Sequence, residues 1–349
     1  MKGNLTAGLI LFVLISSFHQ SYGQYEFEWQ RKNIDSNASI RGLCAVSEDI
    51  IWLSGTGGTV AKSIDKGESW ELLTVEGGES LDFRDIQAYD GKTAIVMSSG
   101  SGTKSKIYKT IDGGQSWDVV HVNTHKDGFF NGMAFWDDQN GILAGDPLSN
   151  HLYIALTTDG GNTWNEVHYS RIPEMNYQEY SFAGSGTHVA VYEEGQAWIG
   201  TGGKTARVFY SQDWGETWNV TDTPANQGKS TTGLFSIKFK DHSFGIAVGG
   251  DYNKTSDASN NVVISKDKGV TWSLIPDHME FRSCIDYVDG FFIAVGSSGS
   301  SYSHNNGTSW HPIDVMGFHT LSIAKNNKEA IWAAGDDGKV ARLSIVNTH

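Results

Sequence analysis

Short apolar runs alternate along this chain with clusters of Gly, Asp, Ser and Thr. Ile40 to Val46, Ile50 to Leu53, Thr59 to Ser63 and Trp70 to Val75 read as four successive strands. Gly55-Thr56-Gly57-Gly58 joins the second to the third. The polar stretch Ser63 to Trp70 joins the third to the fourth. The same layout restarts at Phe83, Phe130, Glu179, near Leu234 and near Phe281. Residues 318–349 hold three more strands, Thr320 to Ile323, Ala330 to Ala334 and Lys339 to Ser344.

The polar joint is itself a repeat. Ser63-Ile64-Asp65-Lys66-Gly67-Glu68-Ser69-Trp70 has the form Ser/Thr-x-Asp-x-Gly-x-Ser/Thr-Trp. It returns around Asp112 and Trp117, Asp159 and Trp164, Asp213 and Trp218, and Asp267 and Trp272. A sixth copy has Asn305 in place of Asp and ends at Trp310. The Asp accepts hydrogen bonds from the turn that follows it. The Gly supplies a positive φ without steric cost. Each copy is therefore expected to be the tight turn of a hairpin, with its Trp opening the outgoing strand and packing on a neighbouring unit. All of these box residues are expected to be scaffold.

Asp65 to Asp112 and Asp112 to Asp159 are each 47 residues apart. The next two intervals are 54, and Asp267 to Asn305 is 38. Each interval fits one four-stranded propeller blade. The three C-terminal strands lack a box and a fourth strand. Tyr25-Glu26-Phe27-Glu28-Trp29-Gln30-Arg31 resembles the strand that follows each box. The expectation is an all-β, seven-bladed propeller over residues 24–349, closed by the N-terminal strand, which removes free sheet edges.

Composition agrees with many short strands and tight turns: 41 Gly, 5 Pro, 12 Trp and 13 Tyr in 349 residues. A formal net charge of −14 argues against nucleic acid as the main partner. Lys2, the apolar run Ala7 to Ile15 and the small residues at Ser21 and Gly23 read as a signal peptide over residues 1–23. The mature protein is then expected to be a monomer, secreted or periplasmic, without stable membrane insertion. Cys44 and Cys284 make no disulfide framework and are expected as free buried thiols.

Strand order sends the boxes to one face of a propeller. The loops between the second and third strands, and between blades, go to the other. The start of each first strand lies near that second face. There the blade alignment places Arg41, Arg84, Asn131, Glu179, Phe235, Arg282 and His319. Three arginines of the seven in the mature chain fall at this position. They could create an anion-attracting channel mouth, or pair with Asp85, Glu179 or Asp286 as struts. The candidate ligand-binding set is Arg41, Arg84, Asn131, Glu179, Arg282 and His319. Loop carboxylates Asp146, Asp251 and Asp336 could bind a cation or act as acids, but such residues more often cap turns. The long polar loop from Asp251 to Asn260 is the other place to look for a partner site. Metal-ligand spacing and nucleotide motifs are absent, so no cofactor is expected.

The repeated motif resembles the Asp box, or bacterial neuraminidase repeat, of sialidases, sortilin-like receptors and the photosystem II stability/assembly factor-like family. The last resemblance also rests on Arg41-Gly42-Leu43, Phe83-Arg84-Asp85-Ile86 and Gly141-Ile142-Leu143-Ala144-Gly145-Asp146-Pro147. It implies a secreted or lumenal seven-bladed propeller with an arginine patch, a non-catalytic factor binding a protein or peptide. Asn305, Asn131, Glu179 and Phe235 depart from that pattern. A sialidase-like glycoside hydrolase is the alternative, with Arg41, Arg84 and Arg282 imitating a carboxylate-binding triad and Glu179 joining a Tyr. Against it, Arg171-Ile172-Pro173 follows the third box, has Ser170 in front instead of an aromatic residue, and lies out of register.

Overall fold

A computed structural model of the chain describes residues 25–275, 278–324 and 327–347. The expected signal peptide lies outside these residues. Seven sheets form seven blades. Blade one runs Ile40–Ala45, Ile51–Gly55, Val60–Ser63 and Glu71–Leu73, from the channel outward. Blades two and three open with Asp82–Ala88 and Phe130–Phe135. Blade five opens with Thr232–Phe239, blade six with Cys284–Val288 and blade seven with Thr320–Ile323.

Blade four departs from the sequence alignment. Its first strand is Val189–Tyr192, not the segment at Glu179. Glu179–Tyr180 instead pairs with Gly202–Gly203, which pairs onward to the first strand of blade five. A 3-10 turn, Tyr169–Arg171, and the segment up to His188 precede the true first strand. The long connection therefore accounts for much of the wide interval between the third and fourth boxes.

Ring closure is an antiparallel pairing of the two chain ends. Tyr25–Asn33 pairs with Lys339–Asn347 in register, with Phe27 opposite Ile345, Trp29 opposite Leu343 and Arg31 opposite Ala341. Trp29, Phe318 and Leu343 join Phe291 and Val295 of blade six in one core cluster. The N-terminal strand thus completes a blade and seals its junction with the neighbour.

Every box folds the same way. The Ser63 hydroxyl donates to Asp65 Oδ1 at 2.8 Å and accepts from Gly67 N at 2.9 Å. Ser69 N donates to Asp65 Oδ1 at 2.9 Å, and the Ser69 hydroxyl to Oδ2 at 2.5 Å. Corresponding bonds hold Asp112, Asp159, Asp213 and Asp267. Asn305 keeps the Oδ1 contacts and reverses one bond, its Nδ2 donating to the Ser309 hydroxyl at 2.8 Å. These donors hold the Asp65 carboxyl at about 2. The Ser69 hydroxyl contributes most, followed by Ser69 N and Ser63.

The box glycine has a second role. Gly67 has φ +74°, and a Cβ there would lie 2.4 Å from the Trp332 ring of blade seven. At Gly269 it would lie 2.3 Å from Trp198 Nε1 of blade four. Each box thus nests against the preceding blade, and only a residue without a side chain fits. Trp164, Trp218, Trp272 and Trp310 are buried, whereas Trp70 and Trp117 are partly buried. Trp164, Trp218 and Trp272 also donate to the carbonyl of their own box glycine. An indole of this kind buries about 150–250 Å², worth roughly 4–6 kcal/mol by area.

Small polar side chains of the inner strands link one blade to the next. Met133 N donates to Asp85, Ile285 N to the Ser236 hydroxyl and Ala45 N to the Ser322 hydroxyl. The thiols do the same work, Cys44 accepting from Ala88 N and Cys284 from Leu321 N. Both are free; Cys284 is fully buried and Cys44 partly so.

Candidate functional site at the channel mouth

The first strands of blades one, two, three and five bulge at the residue the alignment singled out. The register shifts between Ile40 and Gly42, Phe83 and Asp85, Phe130 and Gly132, and Leu234 and Ser236. A bulge turns one side chain out of the ladder. This is why Arg41, Arg84, Asn131 and Phe235 occupy equivalent places with such different chemistry.

Arg41, Arg84 and His319 come together. Arg84 Nε donates to Asp82 Oδ2 at 2.7 Å, and its guanidinium lies 6.0 Å from the Phe129 ring centroid. Burial lowers the Arg41 pKa, and the like charge of Arg84 lowers it further, while Asp82 and Asp336 oppose. His319 Nε2 lies 2.8 Å from Asp336 Oδ1. Burial and then Arg41 nevertheless push the His319 pKa down, which favours the neutral imidazole. Two guanidiniums facing Asp82 and Asp336 leave little net positive charge. The mouth offers directed donors rather than the focused positive potential expected from the sequence.

The other candidates lie apart. Asn131 is buried and donates to Asp146 Oδ1 at 3.0 Å. Glu179 is not on an inner strand. Its carboxylate is buried against Arg207, with Nη2 to Oε2 at 2.6 Å. The Thr201 hydroxyl also donates to it. Arg282 is 5% exposed and turned into its own blade. It donates to Phe281 O, Ser298 Oγ and Ser301 Oγ, each at 2.9 Å. Burial pulls its pKa down to about 10. The strut partners suggested by the sequence are different in fact. Asp286 pairs with Lys238 at 2.5 Å, and Asp85 accepts from the backbone N–H groups of Ile86 and Met133.

The sequence reading missed a segment of the chain itself. Residues 181–188, which lead into blade four, reach across the ring. Arg41 Nη1 donates to Gly184 O at 3.3 Å and Arg84 Nη1 to Ala183 O at 3.2 Å. The Ser185 hydroxyl donates to Ser283 O of blade six at 2.8 Å. Gly186, at φ +75°, lies against Asp85 of blade two; a Cβ there would sit 2.4 Å from the carboxyl carbon. Phe182 anchors the segment by stacking on Phe235, with centroids 4.2 Å apart. The only sequence signal for this crossing was the wide box interval. Among the described residues, Nη2 of Arg41 and of Arg84 donates no hydrogen bond, while Nη1 of each is used on the crossing segment.

The loop carboxylates are capping or paired. Asp251 lies 3.1 Å from Lys229 Nζ and accepts from Asn253 N. Asp336 accepts from the Ser39 hydroxyl at 2.6 Å. Among the described residues, no group of three or more His, Cys, Asp or Glu could hold a metal ion. No helix there is long and apolar enough to cross a membrane.

No family model and no curated protein matches this sequence. Solved structures do match. YCF48 from Cyanidioschyzon merolae superposes with a TM-score of 0.61 at 15% identity, covering 90% of this chain and 98% of that one. YCF48 bound to a D1 peptide gives 0.58 at 14% identity, covering 90% and 94%. The WD40 propeller domain of Doa1 gives 0.60 at 13% identity, covering 91% and 97%. At these identities the likeness is one of fold, and the chain is a seven-bladed β-propeller.

Proposed function

We propose that this protein is a non-catalytic, extracytoplasmic propeller that binds a protein or peptide partner at the mouth formed by Arg41, Arg84 and His319. The observation that carries the reading is the pair of half-buried guanidiniums gripping backbone carbonyls at 183 and 184, with Nη2 of each donating no hydrogen bond among the described residues. That arrangement suits the oxygen atoms of an extended segment, and an acidic or C-terminal carboxylate best of all. A YCF48 propeller of the same fold binds a D1 peptide. Residues 1–23 support export.

Three placements favour binding over glycoside hydrolysis. Arg282 is enclosed in blade six, Glu179 is tied to Arg207, and Arg171 sits in an exposed ion pair with Glu216 at 2.6 Å. Arg41 and Arg84 meet, but Arg282 and Glu179 are spent on internal partners, so the three arginines and acid of a sialidase-like site do not assemble. Purified mature protein is expected to leave a fluorogenic sialoside intact. The direct test is affinity capture from an extracytoplasmic extract with wild-type and Arg84→Ala protein, followed by peptide mapping of the captured chain. Loss of capture with an unchanged melting midpoint supports the mouth. Equal capture by both proteins moves the site elsewhere, first to the 251–260 loop.

A further inference from the structure

The opposite face carries a second feature that the scaffold role of the boxes does not explain. The third residue after the leading Ser/Thr of each box takes a positive φ. It is Lys66 at 63°, Gly113 at 83°, Gly160 at 68°, Lys268 at 68° and Asn306 at 59°. In the fourth box it is Trp214, at 64°. Gly and Asn take this conformation readily, and a bulky aromatic residue does so under strain. The turn does not need an indole, since five sister turns form without one. Nor is the indole hidden, being 43% exposed.

The Trp214 ring is nevertheless fixed. It lies over Gly195, where a Cβ would come within 2.6 Å of Cδ1. It also packs on Trp136, with centroids 5.5 Å apart and planes at 56°. Trp136 is locked by donating its Nε1–H to Gln196 O at 2.7 Å. The two indoles form one wall of a cavity of about 340 Å³ between blades three and four. The rest of the lining mixes apolar Leu156 and Val167 with polar side chains, among them Asn140, Glu166, His168, Arg171 and Glu216.

The charges at this cleft are mixed. Arg171 Nη1 donates to Glu216 at 2.6 Å, and Glu166 lies 3.1 Å from His125 Nε2. An anion would meet two carboxylates and a cation would meet a guanidinium, so neither is favoured. Hydrogen-bonding capacity remains. Asn140 uses its amide nitrogen on Asp137, leaving its oxygen to accept. His168 uses Nδ1 on Ser170, leaving Nε2. A neutral ligand with one apolar C–H face and a rim of hydroxyls matches an aromatic wall facing mixed donors and acceptors.

We infer that the cleft between blades three and four is a carbohydrate-binding site in which a neutral sugar ring stacks on Trp214 and Trp136 and hydrogen-bonds to Asn140, His168 and the Arg171–Glu216 pair. It is independent of the channel mouth and lies on the other face.

The test is a titration of the mature protein with cellotriose, maltotriose, xylotriose and triacetylchitotriose, read by tryptophan fluorescence and calorimetry. At least one is expected to bind with a Kd no weaker than about 10 mM. Trp214→Lys, which restores the residue of the first and fifth boxes, is expected to weaken that binding about tenfold or more while keeping or raising the melting midpoint. Choline serves as the cationic control. The inference is overturned if none of the four sugars binds, if Trp214→Lys binds as well as wild type, or if choline binds and the sugars do not.

Discussion

The two faces of the ring are built on opposite principles. On the box face, one hydrogen-bonding pattern is repeated six times, and a change such as Asn305 is absorbed by reversing a single bond. At the channel mouth, positions equivalent in sequence do not share a role. Arg84 lies half-buried beside Arg41, whereas Arg282 is enclosed by the hydroxyls of Ser298 and Ser301. Repetition secures the scaffold, because every blade must meet the next in the same way. The mouth has no such constraint, and the same bulge can present a strut, a donor or an aromatic anchor.

The largest effect should come from breaking the repeated face. Trp218→Ala is expected to cost roughly 3–5 kcal/mol, read by chemical denaturation. An unchanged midpoint would remove the box tryptophans from the scaffold. A comparable loss, about 3–5 kcal/mol, is expected for Arg207→Ala, which strands the buried Glu179 carboxylate. If Arg207→Ala melted like wild type, that ion pair would not be structural.

The comparison is sharpest between two arginines. Arg282→Ala is expected to cost about 1–3 kcal/mol, since buried hydroxyls and a carbonyl lose their donor. Arg84→Ala should stay within about 0.5 kcal/mol of wild type in stability and weaken partner capture about tenfold. The reverse result, with Arg282 governing capture and Arg84 governing stability, would exchange the roles given to them here.

The two regions also differ in the sign of their pH response. Burial raises the Asp85 carboxyl to about 7, against the opposing N–H groups of Met133 and Ile86. An unfolded Asp titrates near about 3.9. Between these values the native state therefore holds a proton that the unfolded chain lacks, and stability falls as pH rises from about 4 to about 7. The box carboxylates have the opposite sign. Asp65, at about 2 when folded, contributes stability above about 4 that is lost as pH falls toward 2. Melting curves across this range should show a slope between pH 4 and 7 that Asp85→Asn flattens. They should also show an acid slope below pH 4 that Asp65→Asn reduces. A flat profile from pH 4 to 7 in wild type would mean that Asp85 is solvated.

The six boxes made the architecture legible from the sequence alone. Asp, Gly and Trp at fixed offsets are short-range requirements, met within one hairpin, so each copy marks one blade and six of the seven could be counted directly. The unmatched ends likewise pointed to one another, and Phe27 lies opposite Ile345. Three of the six candidate site residues, Arg41, Arg84 and His319, also meet as the alignment placed them. Glu179 was misplaced because its local sequence reads as a strand, and it is one. Only the pairing with Gly202–Gly203 shows that it belongs to a different sheet. Arg207, the crossing of residues 181–188 and the enclosure of Arg282 were decided by tertiary structure. Each depends on which distant backbone or side chain offers an acceptor after the ring has closed. Local pattern carries the φ preferences and apolar spacing that build a blade, but a polar side chain in the ring takes its role from its partner, and partners come from other blades.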